Sequence, residues 1–255
     1  MALSRNNIFR NILCYLLCLF TFHSYSAELL FVTEHSPPYQ YLNKSGNIDG
    51  LTAEIVHAAL AQTPLKYKLK IYPWSRAFMM AKETANTCIF LMSRDEPREK
   101  HFQWIAPLIK TNDYFVGLAN RTDININNIE DVKKYKVAVI KDDRTHHELL
   151  KLGFIENKNL FIINNSNSML KLLTTLKHID LILADTINVN YRAKFHDLNP
   201  DIFKVYMKWN PVPIDLYLAC NLNTPKNVIT SLSQAIETIK NNGIYDKIIT
   251  KWQSK

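Results

Sequence analysis

The chain has 255 residues, with 31 Lys and Arg against 23 Asp and Glu and a formal net charge of +8. Its 47% hydrophobic content is ample for a packed core and excludes a disordered chain. The basic residues are scattered, as at Lys66, Lys68, Lys70, Lys133, Lys134, Lys136, Lys247 and Lys251, and no aromatic-interleaved basic stripe appears, which argues against a nucleic-acid partner.

Residues 1–26 read as a secretory signal peptide. Arg5 and Arg10 form a positive start, Ile12 to Phe22 is apolar, and Ser24-Tyr25-Ser26 places small residues where a signal peptidase reads them. The apolar run falls short of the roughly 20 residues that a spanning helix needs. Cys18 follows Leu16-Leu17 and so lacks the preceding small residue of a lipid anchor. Cleavage before Ala27 leaves 229 residues (255 − 26) at net charge +6 (+8 minus Arg5 and Arg10), and localises the mature chain to the periplasm. Such a length fits one large or two small domains.

Along the mature chain, Glu28 to Glu34 is a short β run broken by Ser36-Pro37-Pro38-Tyr39, and Asn43 to Gly50 is a turn. Leu51, Ile55, Val56, Ala59 and Leu60 share one helical face within Leu51 to Gln62. A strand over Lys66 to Tyr72, a helix over Ser75 to Glu83 and a strand over Thr87 to Met92 follow. This alternation is an α/β pattern with a largely parallel sheet. It then restarts. A short helix begins at Ile129 to Val132, and strands are expected at Tyr135 to Ile140, Leu160 to Ile163 and Ile179 to Ala184. Helices are expected at Thr145 to Leu152 and Ser166 to Leu176. Two α/β halves imply two lobes, with extended crossings at Ile109 to Val116 and Val212 to Cys220. Ile236, Ile239, Ile244, Ile248 and Trp252 predict two amphipathic C-terminal helices joined at Gly243, a position that suits a left-handed cap.

A set of motifs occurs in order along this pattern: Pro38-Tyr39; Gly46-x-x-x-Gly50-Leu51-x-x-Glu54-Ile55; Pro73-Trp74-x-Arg76-Ala77; Ser93-Arg94-Asp95-Glu96-Pro97-Arg98-Glu99; Phe102-x-Trp104-x-x-Pro107; Val137-Ala138-Val139; Ile179 to Asp185; and the C-terminal Asn242-Gly243-x-Tyr245 turn with its Lys251-Trp252 ending. Together they resemble the bacterial extracellular solute-binding proteins of family 3, the periplasmic polar amino acid-binding proteins of ABC transporters. The Pro-Trp-x-Arg-Ala and Trp-x-x-Pro elements resemble a proteobacterial branch of that family. The resemblance covers essentially the whole mature chain. It implies a bilobal, periplasmic-binding-protein-like type II fold, with lobe one at 27–110 and 216–255, lobe two at 111–215, and a ligand enclosed between them. It implies a monomer that captures a small polar solute, an amino acid or related amine, for an inner-membrane ABC permease, with no cofactor and no metal.

The resemblance also assigns candidate ligand-binding residues. Arg98 offers a planar fork for a ligand carboxylate, and Ser93 matches a hydroxyl position beside it. Read without the resemblance, Arg98 is a surface arginine paired with Glu96 or Glu99. Asp185, at the carboxyl end of a strand, would accept from a ligand ammonium or cap the next helix. Trp74 and Tyr39 would form aromatic walls, and Glu34 and Arg76 are weaker candidates. After Val137 to Ile140 the family usually places a glycine and then Ser or Thr, opening a helix whose N–H groups bind a carboxylate. Here Asp142, Asp143, Arg144 and Thr145 stand instead. An acid capping that helix would occupy those donors. Either Arg144 takes over as anion partner, or the ligand is not an ordinary α-amino acid, which favours a cationic or amine-rich ligand. Cys88 and Cys220 read first as buried free thiols, while the resemblance implies that both strands share one sheet, which keeps a bridge open.

Enzymatic readings are weaker. His146-His147-Glu148 has the wrong order for a His-Glu-x-x-His zinc site and reads as a solvated helix face. A periplasmic dehydratase on this fold would use Glu34 or Asp143 as its cleft carboxylate. A third possibility is a ligand-sensing partner of a membrane receptor.

Overall fold

In the computed structural model, residues 28–253 are described except 165, 177 and 210. The signal peptide expected over residues 1–26 lies outside the described residues. Among those described, no helix is long and apolar enough to cross a membrane.

The first half runs β1 (Leu29–Thr33), a small hairpin of β2 (Tyr41–Leu42) and β3 (Ile48–Asp49), α1 (Leu51–Leu60), β4 (Tyr67–Ile71), α2 (Trp74–Glu83), β5 (Thr87–Ser93), α3 (Glu96–Glu99) and β6 (Phe102–Thr111). The second half runs β7 (Tyr114–Leu118), α4 (Ile129–Val132), β8 (Val137–Ile140), α5 (Arg144–Lys151), β9 (Leu160–Ile163), α6 (Met169–Lys171), β10 (Leu181–Ala184), α7 (Thr186–Phe195) and β11 (Phe203–Lys208). β12 (Ile214–Asn221) then leads to α8 (Lys226–Asn241) and α9 (Ile244–Gln253).

Two five-stranded sheets result, in the orders β4-β1-β5-β12-β6 and β11-β7-β10-β8-β9. Each lobe therefore has its own sheet. The chain passes from one sheet to the other between β6 and β7, and back between β11 and β12. The sheets are parallel only in part: β1 runs parallel to β4 and β5, and β8 to β9 and β10. β12 and β7 are antiparallel to both of their neighbours. These two reversed strands are the ones that connect the lobes.

β5 is buried along its whole length. Cys88 and Phe90 pack on one face with Phe31, Ile55, Leu108 and Ile236, and Ile89 and Met92 on the other with Val32, Trp74, Phe102 and Ala219. A strand covered on both faces reads as a continuous apolar run rather than an alternation. Cys88 and Cys220 stand opposite each other in the β5–β12 register and are disulfide-bonded. The expectation of free thiols is thereby corrected, because cross-strand pairing brings together two cysteines 132 residues apart in sequence. The helix expected over Ser166 to Leu176 is also corrected: it breaks into a 3₁₀ turn, the one-turn α6 and a π turn. At the C-terminus Gly243 has φ 76, the left-handed conformation expected between two helices.

Candidate functional site

The polar residues converge where the carboxyl ends of the strands meet between the lobes. Arg98 lies on α3 directly after β5. Asp95 caps that helix by accepting from the Arg98 N–H at 3.0 Å. Arg98 is only 4% exposed. Its Nη1 donates to Ser93 Oγ at 2.7 Å, and its guanidinium sits 5.4 Å from the Trp74 and Phe78 ring centroids. Glu99 is instead paired with Arg94, so Arg98 is not the surface arginine that local sequence would suggest. Lobe one thus supplies a buried, desolvated cation framed by a hydroxyl and two aromatic faces.

Tyr39 is buried in the loop before β2, and its hydroxyl donates to Asp185 Oδ1 at 2.9 Å across the cleft. The Tyr39 loop is anchored by the N-terminus of α1, since the Thr52 N–H donates to the Tyr39 carbonyl at 2.8 Å. Gly50 is required there: with φ 124, any Cβ would collide with that carbonyl. Asp185 also caps α7 by accepting from the Asn188 N–H at 2.8 Å. Burial pushes the Asp185 carboxyl above the usual carboxylate range, opposed by these two hydrogen bonds.

Glu34 follows β1 among charges of both signs. Burial raises its pKa to about 8; Asp143 adds to the rise, while Arg192 and Arg98 oppose it. Asp143 faces Arg98, with Oδ1 3.9 Å from Nη2.

Asp142 takes φ 59, the left-handed conformation that glycine adopts most readily. Asp143 is the N-cap residue of α5, yet its side chain caps nothing and accepts instead from the Thr145 hydroxyl at 3.0 Å. The expected capping of this helix by Asp142 or Asp143 is therefore corrected. Arg144 is held by Asp113 and Glu148. Burial works against its charge, but these two carboxylates keep its pKa above the ordinary value. Asp113, in the β6–β7 crossing, is raised by burial to about 6, with Arg144 opposing the shift. Arg144 is thus already neutralised within the fold, rather than a free replacement for the missing helix donors. Arg76 does not join the cluster: it is exposed, and its guanidinium stacks 4.4 Å from the Tyr72 ring centroid.

Several cleft residues escaped sequence reasoning. Arg192 is 3% exposed and donates to the Ser166 carbonyl and hydroxyl and, at 3.4 Å, to the His35 carbonyl of lobe one. Burial lowers its pKa to about 10 despite the nearby Glu34 and Asp185. Ser166 Oγ donates to the same His35 carbonyl at 2.7 Å. Asn188 Nδ2 reaches the Pro37 carbonyl at 2.5 Å. Together with Trp74 Nε1 donating to the Asp142 carbonyl (3.1 Å) and Ser75 Oγ to that of Lys141 (3.2 Å), these bonds hold the lobes in a closed arrangement. The signal for Asn188 and Arg192 was present in the sequence. They stand four residues apart, on the side of α7 that Asp185 begins, where a purely apolar face would be ordinary.

Residues 29–255 match the family described as bacterial extracellular solute-binding proteins, family 3. No curated protein matches the chain. Among solved structures, a histidine kinase sensor domain with similarity to periplasmic binding proteins has TM-score 0.79 at 17% identity, covering 89% of this chain and 96% of its own. An ancestral arginine-binding protein bound to arginine has TM-score 0.74 at 18% identity, covering 88% of this chain and 97% of its own. The arginine-, lysine-, histidine-binding protein ArtJ from Geobacillus stearothermophilus has TM-score 0.74 at 17% identity, covering 89% and 96%. At such identities these likenesses establish the bilobal type II fold.

Proposed function

The chain belongs to the bacterial extracellular solute-binding proteins, family 3, and from that premise we propose that it captures a small amine-bearing solute, an amino acid or related amine, by closing two lobes around it. The observation that carries this reading is the pairing of opposed charges across the cleft. Arg98 with Ser93 stands on lobe one, and Asp185, Asp143 and Arg192 stand on lobe two, with Glu34 between them. A ligand carboxylate would take the Arg98 fork and displace the loose 3.9 Å contact with Asp143. A ligand ammonium would meet Asp185, and Glu34 or Asp143 would take a further cation. Tyr39 and Trp74 would wall the site. An α5 start that carries Asp142 and Asp143 favours a cationic ligand over a simple acidic one. The arginine-binding proteins that share the fold support the same class.

In this reading residues 1–26 direct export to the periplasm, the lobes are 27–110 with 216–255 and 111–215, and the closed monomer is presented to an ABC permease. The protein binds and does not transform its ligand. The likeness to a kinase sensor domain favours one second reading, in which the closed form docks on a membrane receptor.

A thermal-shift screen of residues 27–255 with amino acids, polyamines, dicarboxylates and short peptides tests this reading. The expected hits are basic amino acids or amines, recovered unchanged at one-to-one stoichiometry. Hits confined to dicarboxylates, or an altered product, would overturn it. The pH dependence is a sharper form of the same test. Burial pushes the Glu34 carboxyl up to about 8, which favours its protonated form at neutral pH. A cation bound beside it favours the ionised form, so binding releases a proton. Affinity for a cationic ligand should therefore rise with pH up to about 8 and then level off. Glu34→Gln should flatten that rise in calorimetry.

A further inference from the structure

The start of α5 carries a second arrangement, which shares only Asp142 with the proposed solute site. Among the described residues, Asp142, His146 and His147 each offer one metal-ligand atom, all within 4.8 Å of one another. Neighbouring residues on a helix normally diverge. Here the His146 and His147 rings stack, with centroids 5.2 Å apart and planes at 25°. The turn at Asp142, held at φ 59, brings its carboxylate back toward them. His146 is 6% exposed, not part of a solvated face as its sequence context suggested, while His147 is exposed.

The hydrogen bonds around His146 define its chemistry. Its Nε2 lies 3.0 Å from Glu156 Oε1, and its Nδ1 lies 3.2 Å from the Asp142 backbone nitrogen. The backbone N–H can only donate, so Nδ1 carries the lone pair and Nε2 carries the proton that it gives to Glu156. A buried imidazole is thereby oriented by an outer carboxylate, with its Nδ1 lone pair turned toward the Asp142 loop, where it accepts the Asp142 N–H. That is the arrangement of metal-ligating histidines, in which the outer partner sets the tautomer and raises the ligand's basicity.

We propose that Asp142, His146 and His147 form a binding site for a divalent transition-metal ion of the Zn²⁺ or Cu²⁺ class, with Glu156 as the positioning residue for His146. Two imidazoles and one carboxylate suit these ions and not Mg²⁺ or Ca²⁺, which prefer all-oxygen shells. Metal–ligand bonds of about 2.0–2.2 Å place tetrahedral ligand atoms about 3.4 Å apart. Separations of up to 4.8 Å must therefore contract. Rotation of the exposed His147 and the partly exposed Asp142 side chains supplies that contraction, while His146 stays fixed. The ion would replace the single Asp142 N–H bond to Nδ1, and water would complete its shell. Because the Asp142 carbonyl also accepts the Trp74 indole N–H from lobe one, the site adjoins the contact between lobes.

The test is calorimetric titration of untagged protein with Zn²⁺ alone, paired with electron paramagnetic resonance of the Cu²⁺ form. The wild type should bind one equivalent, and Cu²⁺ should show coupling to two imidazole nitrogens. His147→Ala, a surface change compatible with folding, should weaken binding at least tenfold and remove one nitrogen coupling. Glu156→Gln should weaken it by about 10–100-fold while leaving both couplings in place. Mg²⁺ should not compete. Absence of one-equivalent binding, or a His147→Ala variant that binds as the wild type does, would overturn the proposal. Neither readout involves the solute, so the result stands apart from the fate of the capture reading.

Discussion

The two walls of the cleft are built on different principles. In lobe one, Arg98 is fastened by its own lobe: Ser93 and Asp95 hold it, Trp74 and Phe78 flank it, and the fully buried β5 behind it is bridged to β12 through Cys88 and Cys220. In lobe two the polar groups stand on α7 or just before α5 and α7, and find partners across the gap. Asp185 takes Tyr39, Asn188 takes Pro37, Arg192 takes His35, and the Asp142 carbonyl takes Trp74. The lesson is a division of labour. Lobe one presents a buried cation whose hydrogen bond to Ser93 and ion pair with Asp95 lie within its own lobe, whereas the polar groups of lobe two are partnered fully only when the lobes meet. A ligand shifts the open–closed balance only by its differential affinity for the two forms, so the two walls should fail differently when altered.

The largest effect is expected at the fixed wall. Arg98→Ala should lower affinity for a carboxylate-bearing ligand by about 2–5 kcal/mol, the range for leaving a buried ligand charge unpaired. Calorimetry with the best hit of the thermal-shift screen checks it; affinity equal to the wild type would remove Arg98 from the site. The frame behind it comes next. The bridge closes a loop that contains all of lobe two, and replacing Cys88 and Cys220 by alanine should cost about 2–5 kcal/mol of stability, read from denaturant unfolding. A variant as stable as the wild type would mean that β5 and β12 need no covalent tie.

At the latching wall, Arg192→Met removes hydrogen bonds to Ser166 and His35 and should cost the closed form about 1.5–3 kcal/mol. Small-angle scattering of the ligand-free protein should then show a larger radius of gyration. An unchanged radius would mean that closure does not depend on this contact. The smallest change is Tyr39→Phe, which deletes one bond to Asp185 while leaving the Asn188 cap in place. A loss of about 1 kcal/mol in affinity is expected. A much larger loss would show that the Tyr39 hydroxyl contacts the ligand itself.

Much of the architecture was legible in the sequence because it is written in local periodicity. The helical face of Leu51 to Leu60, the apolar run of β5, the glycine between α8 and α9 and the restart of the α/β pattern near Ile129 all appear as expected. The 166–176 segment is helical over the expected bounds, but it winds successively through 3₁₀, α and π geometry instead of forming one α-helix.

What the sequence by itself determined is most of the elements, though not α3, α7 or β11, with their order and the family, since apolar spacing, glycine positions and ordered motifs act over a few residues at a time. Tertiary structure alone decided which charges meet. Glu99 goes to Arg94 and leaves Arg98 buried; Asp113 claims Arg144 from 31 positions away; Arg76 turns outward onto Tyr72; and Arg192 reaches across to His35. An unpaired buried charge is so costly that each must find a partner, and which partner is available depends on strands that pair over more than a hundred residues, as Cys88 and Cys220 do.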